Sequence, residues 1–336
     1  MKPIVFQRWV ALSALLLLSP GVPVIAQTGF TTAFDSDPVA GGWRAHGDGS
    51  LFQWEADAGR LAVLWDSSRS NSYFAHPLPA PVTSADDFRF GFELELVEHA
   101  VGVDPAKPGT FQIALGLIRL ADATAPGFQR AVVLRSSNLV EWTSFASEPG
   151  GAISASISPV IIPRDGRLPW GYGDSYMTLE TGVRYGFEYH YIAAQRTLRS
   201  TVTVDGLPGP DLVAVILPPT FKDFQVDALS VNSYSDAGQD PRYAGSVRAR
   251  GWIHRLHYEG PGPAVESITL ESLPAGWRVS TASRKGWTYR LLHSPDLKTW
   301  THLGLERAGT GGILVFDAAA EPEASAGFLR IETHIP

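Results

Sequence analysis

Three glutamates stand close together in the stretch Phe88-Arg-Phe-Gly-Phe-Glu-Leu-Glu-Leu-Val-Glu98: Glu93, Glu95 and Glu98. Paired carboxylates are what hydrolysis of a glycosidic bond uses, one as acid and one as base or nucleophile. The retaining route needs them about 5–5.5 Å apart, which same-face neighbours on a strand can approach. Around them Phe88, Phe90, Phe92, Leu94 and Leu96 alternate with Arg89, Gly91, Glu93 and Glu95. A period of two predicts a β-strand with its apolar side on a core and its charged side open to solvent or ligand. On strict alternation Glu93 and Glu95 share the open face and Glu98 points the other way. A bulge near Val97 is needed to bring Glu98 round.

Other catalytic templates are missing from the sequence. There is no G-x-S-x-G elbow, no H-E-x-x-H, and no cysteine for thiol chemistry or thiolate metal sites. The nine histidines are scattered. His254 and His257 are three apart on a predicted strand, so they are expected on opposite faces and unable to share a metal.

Sugar sites combine aromatic faces with carboxylates or amides, and two stretches fit. Trp43 and Trp54 flank the glycine-rich AHGDGS loop, and residues 169–176 bring Trp170, Tyr172, Asp174 and Tyr176 together. The alternative for Trp170 or Tyr176 is to plug one end of a sandwich; Trp65 and Trp142 read as core or edge packing. No cofactor is expected beyond a structural calcium, which takes hard oxygen ligands. Asp35 and Asp37, and Asp236 with Asp240, are its candidate ligands, although turns favour aspartate anyway.

The elements that must position these groups are strands. Short alternating segments separated by Gly, Pro, Asp and Asn run through the chain, with no amphipathic helix, which makes the fold class all-β. The first 26 residues read as an export signal: Lys2 and Arg8, an apolar run from Val10 to Leu18, and small residues ending at Ala26. The expectation is a secreted protein (periplasmic, cell-surface or extracellular) with no membrane insertion after signal removal. The whole chain carries a formal charge of -7 without a Lys/Arg cluster, which argues against nucleic acid as a partner. Gly260-Pro-Gly-Pro263 reads as a linker. The organisation is then a signal at 1–26, a large unit at 27–260, a linker at 261–264 and a small β-sandwich at 265–336. Leu134–Thr143 and Leu292–Thr301 share the pattern L-x-S-x-[N/D]-L-x-x-W-T, read as a local turn rather than duplicated function.

The order of segments in the first unit resembles the concanavalin A-like lectin/glucanase superfamily, which includes laminin G-like modules. The residues that carry the resemblance are FDSD with Trp43, FRFGFELEL, RYGFEYHYIAAQRTLRSTVTVDG, FQVDALSVNSYSD and GWIHRLHYEG. It implies a jelly-roll β-sandwich and a polysaccharide or glycan partner. Its hydrolases carry an E-[I/L]-D-x-(x)-E motif, whose outline Glu93, Glu95 and Glu98 follow, with Glu95 departing from the central Asp and no Trp before Glu93. The second unit is similar to a small β-sandwich at the C-termini of exported bacterial proteins from the Verrucomicrobia and Planctomycetes, on WTYRLLHSPDLKTWTHL and GTGGILVFDAAAEPEASAGFLRIE. The reading is therefore an exported, non-catalytic carbohydrate-binding or adhesive protein, the second unit being a spacer or attachment module. A retaining glycoside hydrolase using Glu93 and Glu98 is the first alternative, and a structural envelope or matrix protein the second.

Overall fold

The computed structural model describes residues 27–101, 113–130, 136–146, 155–166, 177–235, 247–262, 265, 268–274, 276–304, 306–319 and 328–335. The expected signal at 1–26 and Trp170, Tyr172, Asp174, Tyr176, Asp236 and Asp240 lie outside these described residues. The chain opens with β1 (Gln27–Thr32), β2 (Arg44–His46), β3 (Phe52–Glu55), β4 (Arg60–Asp66), β5 (Ser72–Thr83) and β6 (Phe88–Val101). Next come β7 (Ile113–Ile118), the short α1 (Leu120–Ala123), β8 (Leu139–Ala146), β9 (Ala155–Ile162) and β10 (Met177–Leu179). The hairpin of β11 (Arg184–Ile192) and β12 (Thr197–Val204) turns through Arg196 in the left-handed region (φ 51°). Then follow β13 (Leu207–Pro208), β14 (Val215–Ile216), β15 (Gln225–Ser233) and β16 (Val247–Pro261).

These strands make two antiparallel sheets packed face to face. The larger, nine-stranded sheet runs β13-β12-β11-β6-β16-β4-β3, with β1 on β16 and β14 on β12. The smaller, seven-stranded sheet runs β10-β9-β8-β7-β15-β5-β2. Alternation explains the core: Phe88, Phe90, Phe92, Leu94 and Leu96 on β6 and Tyr185, Phe187, Tyr189 and Tyr191 on β11 all point inward. Phe92 meets Trp142 of the opposite sheet at 5.3 Å between ring centroids, and Trp65 Nε1 donates to the Asn232 carbonyl at 3.1 Å. The fold is the expected all-β jelly-roll sandwich. Among the described residues no helix is long and apolar enough to cross a membrane.

The second unit is a small sandwich with its own core. One sheet holds β17 (Ile268–Leu273), β18 (Gly276–Ala282) and β22 (Ile313–Ala319). The other holds β19 (Thr288–Ser294), β20 (Thr301–His302), β21 (Arg307–Ala308) and β23 (Phe328–His334). Val279, Tyr289, Leu291 and Phe316 fill the space between them. This unit is keyed to the first by Arg284, whose side chain is 1% exposed. Its guanidinium bonds Asp86 Oδ2 (2.9 Å), the Pro81 carbonyl (3.0 Å) and the Gly262 carbonyl (3.2 Å). The Pro81 carbonyl is available because Pro77, Pro79 and Pro81 lack ladder donors, and β5 bulges away from β15 between Pro77 and Val82.

The repeated L-x-S-x-[N/D]-L-x-x-W-T pattern does not give the same local turn twice. The left-handed residue is Asn138 (φ 57°) in the first copy and Leu297 (φ 63°) in the second.

Candidate functional site

The outward side of the larger sheet is open, and its side chains form a grid set by register. In order β16, β6, β11, β12, one row reads Glu259, Arg89, His190, Arg199 and the next His257, Gly91, Glu188, Thr201. The third reads Arg255, Glu93, Gly186, Thr203, and beyond it Trp252 lies opposite Glu95, which lies opposite Arg184. Two bulges reshape the grid. Glu98 pairs with Arg250 while Leu96 pairs with Gly251, so Val97 is an extra residue on β6; His254 is the extra residue on β16. The bulge required to bring Glu98 round is therefore present, and Glu98 stands exposed beside Arg250. The second bulge corrects the histidine expectation. His254 and His257 share the open face rather than opposing it, because His254 is the unpaired extra residue.

Most charges on this face have a partner. Arg184 holds Glu93 through Nε (2.8 Å) and a second contact from Nη2. His254 Nε2 lies 3.1 Å from Glu95, Arg250 Nε 3.3 Å from Glu98, and Arg60 Nε 2.6 Å from Glu55. The His257–Glu188 contact, at 2.6 Å, joins β16 to β11 across β6. It passes over Gly91, where a Cβ would stand 2.3 Å from His257 Cε1 and 2.7 Å from Glu188 Oε1. Glycine is required here for the close approach and not for its backbone angle. Burial, followed by Arg184, lowers the His254 pKa, with Glu95 pulling the other way. Burial and then Arg89 likewise lower that of His190.

Glu93 and Glu98 do not form a convergent pair. Glu93 is drawn toward β11 by Arg184 and Glu98 toward β16 by Arg250, on opposite sides of β6, with the Glu95–His254 contact between them. A depression of about 340 Å³ lies beside this line, where Gln53, Glu55, Leu64, Arg250 and Trp252 meet. The Arg60 guanidinium stacks 3.6 Å above the Trp252 ring centroid. A second, of about 190 Å³, opens over Gly186, between Glu93, Glu188, Thr203 and Arg255.

Trp43 and Trp54 pack toward the core rather than onto the open face of the sheet. Trp43 is 1% exposed, stacks on Phe74 at 5.2 Å and donates Nε1 to Thr32 Oγ1. Trp54 packs on the core side and donates to the Phe34 carbonyl at 2.8 Å. The glycine-rich loop between them is closed by an Asp48–Ser50 turn. Asp37 accepts from the Val39 N–H at 2.8 Å, a turn role. Among the described residues no three His, Asp or Glu side chains converge.

Sequence reasoning missed a polar cluster on the far side of the smaller sheet, beneath α1 and Phe128. Glu141 accepts from Arg130 Nε (2.6 Å), Tyr234 OH (2.9 Å), Asn232 Nδ2 (3.2 Å) and Thr143 Oγ1 (3.3 Å). Ser230 donates on to Asn232. Burial, then the Glu141 charge, pushes the Tyr234 hydroxyl pKa well up. Each Glu141 carboxylate oxygen accepts two of these bonds, which ties β8, β15 and the covering segment together.

No protein-family model matches the chain, and no curated protein matches it in sequence. Solved structures do. The chain is similar in shape to lectins. A peanut lectin with a bound nonapeptide matches at 12% identity and TM-score 0.44, over 70% of this chain and 97% of the lectin. A Lotus tetragonolobus seed lectin matches at 13% and 0.44, over 69% and 98%. An alginate lyase matches at 12% and 0.39, over 64% and 86%. Likeness at these scores carries no function across.

Proposed function

We propose that this is an exported glycan-binding or adhesive protein whose ligand lies on the open face of the larger sheet. The observation behind this reading is the depression at Trp252, where an indole, an amide (Gln53), a carboxylate (Glu55) and a guanidinium (Arg250) come together. Arg60 covers one face of this indole, and the ring surface left to the depression, beside groups that bond hydroxyls, is the chemistry a pyranose requires. The ion pairs along the rest of the face hold its side chains in place before the ligand arrives, which lowers the ordering cost of binding.

The second reading, a retaining glycoside hydrolase, is favoured by one feature, the Val97 bulge that sets Glu98 on the same face as Glu93. Against it stands the separate capture of each carboxylate by its own arginine.

The test is native electrophoresis through gels cast with different polysaccharides, stained afterwards for cleared zones. Retardation that is lost in Trp252→Ala supports the binding reading. Clearing that disappears in Glu93→Gln replaces it with the hydrolase. Unchanged mobility in every gel overturns both and leaves a structural role.

A further inference from the structure

We infer that the glycan recognised by the open face is acidic, its carboxylate or sulfate groups held by the row Arg89, His190 and Arg199. This rests on the glycan-binding reading above and adds the substrate class to it. The three residues lie on adjacent strands in direct register, Arg89 opposite His190 and His190 opposite Arg199. Neighbouring strands are about 4.8 Å apart, so three donors of the cationic side-chain types share one short line. Opposite charges set across neighbouring strands stabilise a sheet. Elsewhere on this face the chain makes such pairs, Glu93 with Arg184, Glu95 with His254, Glu98 with Arg250 and Glu188 with His257. The row makes none. Among the described residues Arg89 and Arg199 form no ion pair, and the contact made by Arg199 is to the neutral Gln195 amide at 3.3 Å. Glu259 flanks the row opposite Arg89 without bonding it.

The chain as a whole has a formal charge of -7. At physiological salt, fields decay over about 8 Å, so a polyanion lying along the sheet meets the row rather than the average charge. Two guanidiniums with a histidine between them offer forked donors to the planar carboxylate of a uronate or the oxygens of a sulfate ester. The depression over Gly186 lies two rows away, which fits a charged substituent held at the row while the sugar rings lie toward Trp252.

The test uses the full mature chain and one polymer backbone in three forms: dextran, carboxymethyl-dextran and dextran sulfate, titrated calorimetrically. At least one charged form is expected to bind more tightly than dextran. Arg89→Gln and Arg199→Gln are each expected to weaken that binding about ten-fold, the value of one lost charge-assisted hydrogen bond. Arg307→Gln, an exposed arginine on the second unit, is expected to leave it unchanged. The charged form that binds more tightly identifies the group as carboxylate or sulfate. Charged-dextran binding that survives both row variants, or that falls equally in Arg307→Gln, overturns the row. Binding to neutral polysaccharides alone overturns the acidic class while leaving the glycan reading. Absence of binding to any polysaccharide overturns both.

Discussion

The buried pair Arg130–Glu141 gives the sharpest test of the energetics. Its side chains are 3% and 0% exposed. Arg130→Met removes the cation but leaves Glu141 three neutral donors: Tyr234, Asn232 and Thr143. Breaking a buried pair from one side costs about 3–5 kcal/mol, and the surviving donors put the loss at the lower end, about 3 kcal/mol. That is a large share of a native stability of about 5–15 kcal/mol. Urea slopes of about 1–3 kcal/mol per molar translate it into a midpoint lowered by about 1 M or more. Glu141→Leu is expected to cost a similar amount, because it takes the carboxylate away from the Arg130 guanidinium and the Tyr234 hydroxyl. The double variant Arg130→Met/Glu141→Leu removes both charges together and is expected to recover most of the loss. Equilibrium urea unfolding followed by tryptophan fluorescence reads all four corners of the cycle. Additivity of the two single changes within about 0.5 kcal/mol would refute the reasoning, since it would mean that the groups do not depend on each other.

Three further outcomes are expected. Gly91→Ala should destabilise the fold by about 1–3 kcal/mol, because the new Cβ meets the Phe187 carbonyl at 2.5 Å as well as His257, and backbone cannot give way; thermal melts check this. Arg284→Ala should uncouple the two units, turning one calorimetric transition into two, whereas a single unchanged transition would show that Arg284 does not join them. Alkaline titration should weaken the fold above pH 10. Burial, partly offset by Arg196, pushes the Tyr191 hydroxyl up to about 12, so the unfolded chain releases its proton first and stability is lost as pH rises from 10 toward 12. Urea unfolding at stepped pH, read beside tyrosinate absorbance, follows the loss; a flat profile across that window would contradict it.

Much of the architecture was legible in the sequence because period-two alternation marks faces directly. The β6 segment and the β11–β12 hairpin lie where their residues put them. Alternation separates two faces but does not say what each one meets. The sequence Val140-Glu-Trp-Thr143 alternates like any half-exposed strand, yet Glu141 and Thr143 are sealed under a second layer, so the polar cluster escaped notice. The direction of Trp43 and Trp54 was not legible for a related reason: an indole beside a glycine-rich turn can pack inward or outward with the same local sequence. The bulges at Val97 and His254 leave no periodic trace, and they decide which carboxylates and histidines share the open face.

Those two extra residues also govern how the chain could change length. In a regular strand, losing one residue would turn every later side chain to the opposite face. Val97 and His254 are exempt. With Val97 deleted, Leu96 would still point inward and Glu98 outward, and Leu96 and Glu98 would keep Gly251 and Arg250 as partners. Deleting His254 would likewise leave Ile253 opposite Leu94 and Arg255 opposite Glu93. These are the two positions in the central strand pair where a single-residue deletion leaves the order of the grid intact. Relatives of this protein that differ in length within β6 or β16 are expected to place the difference there.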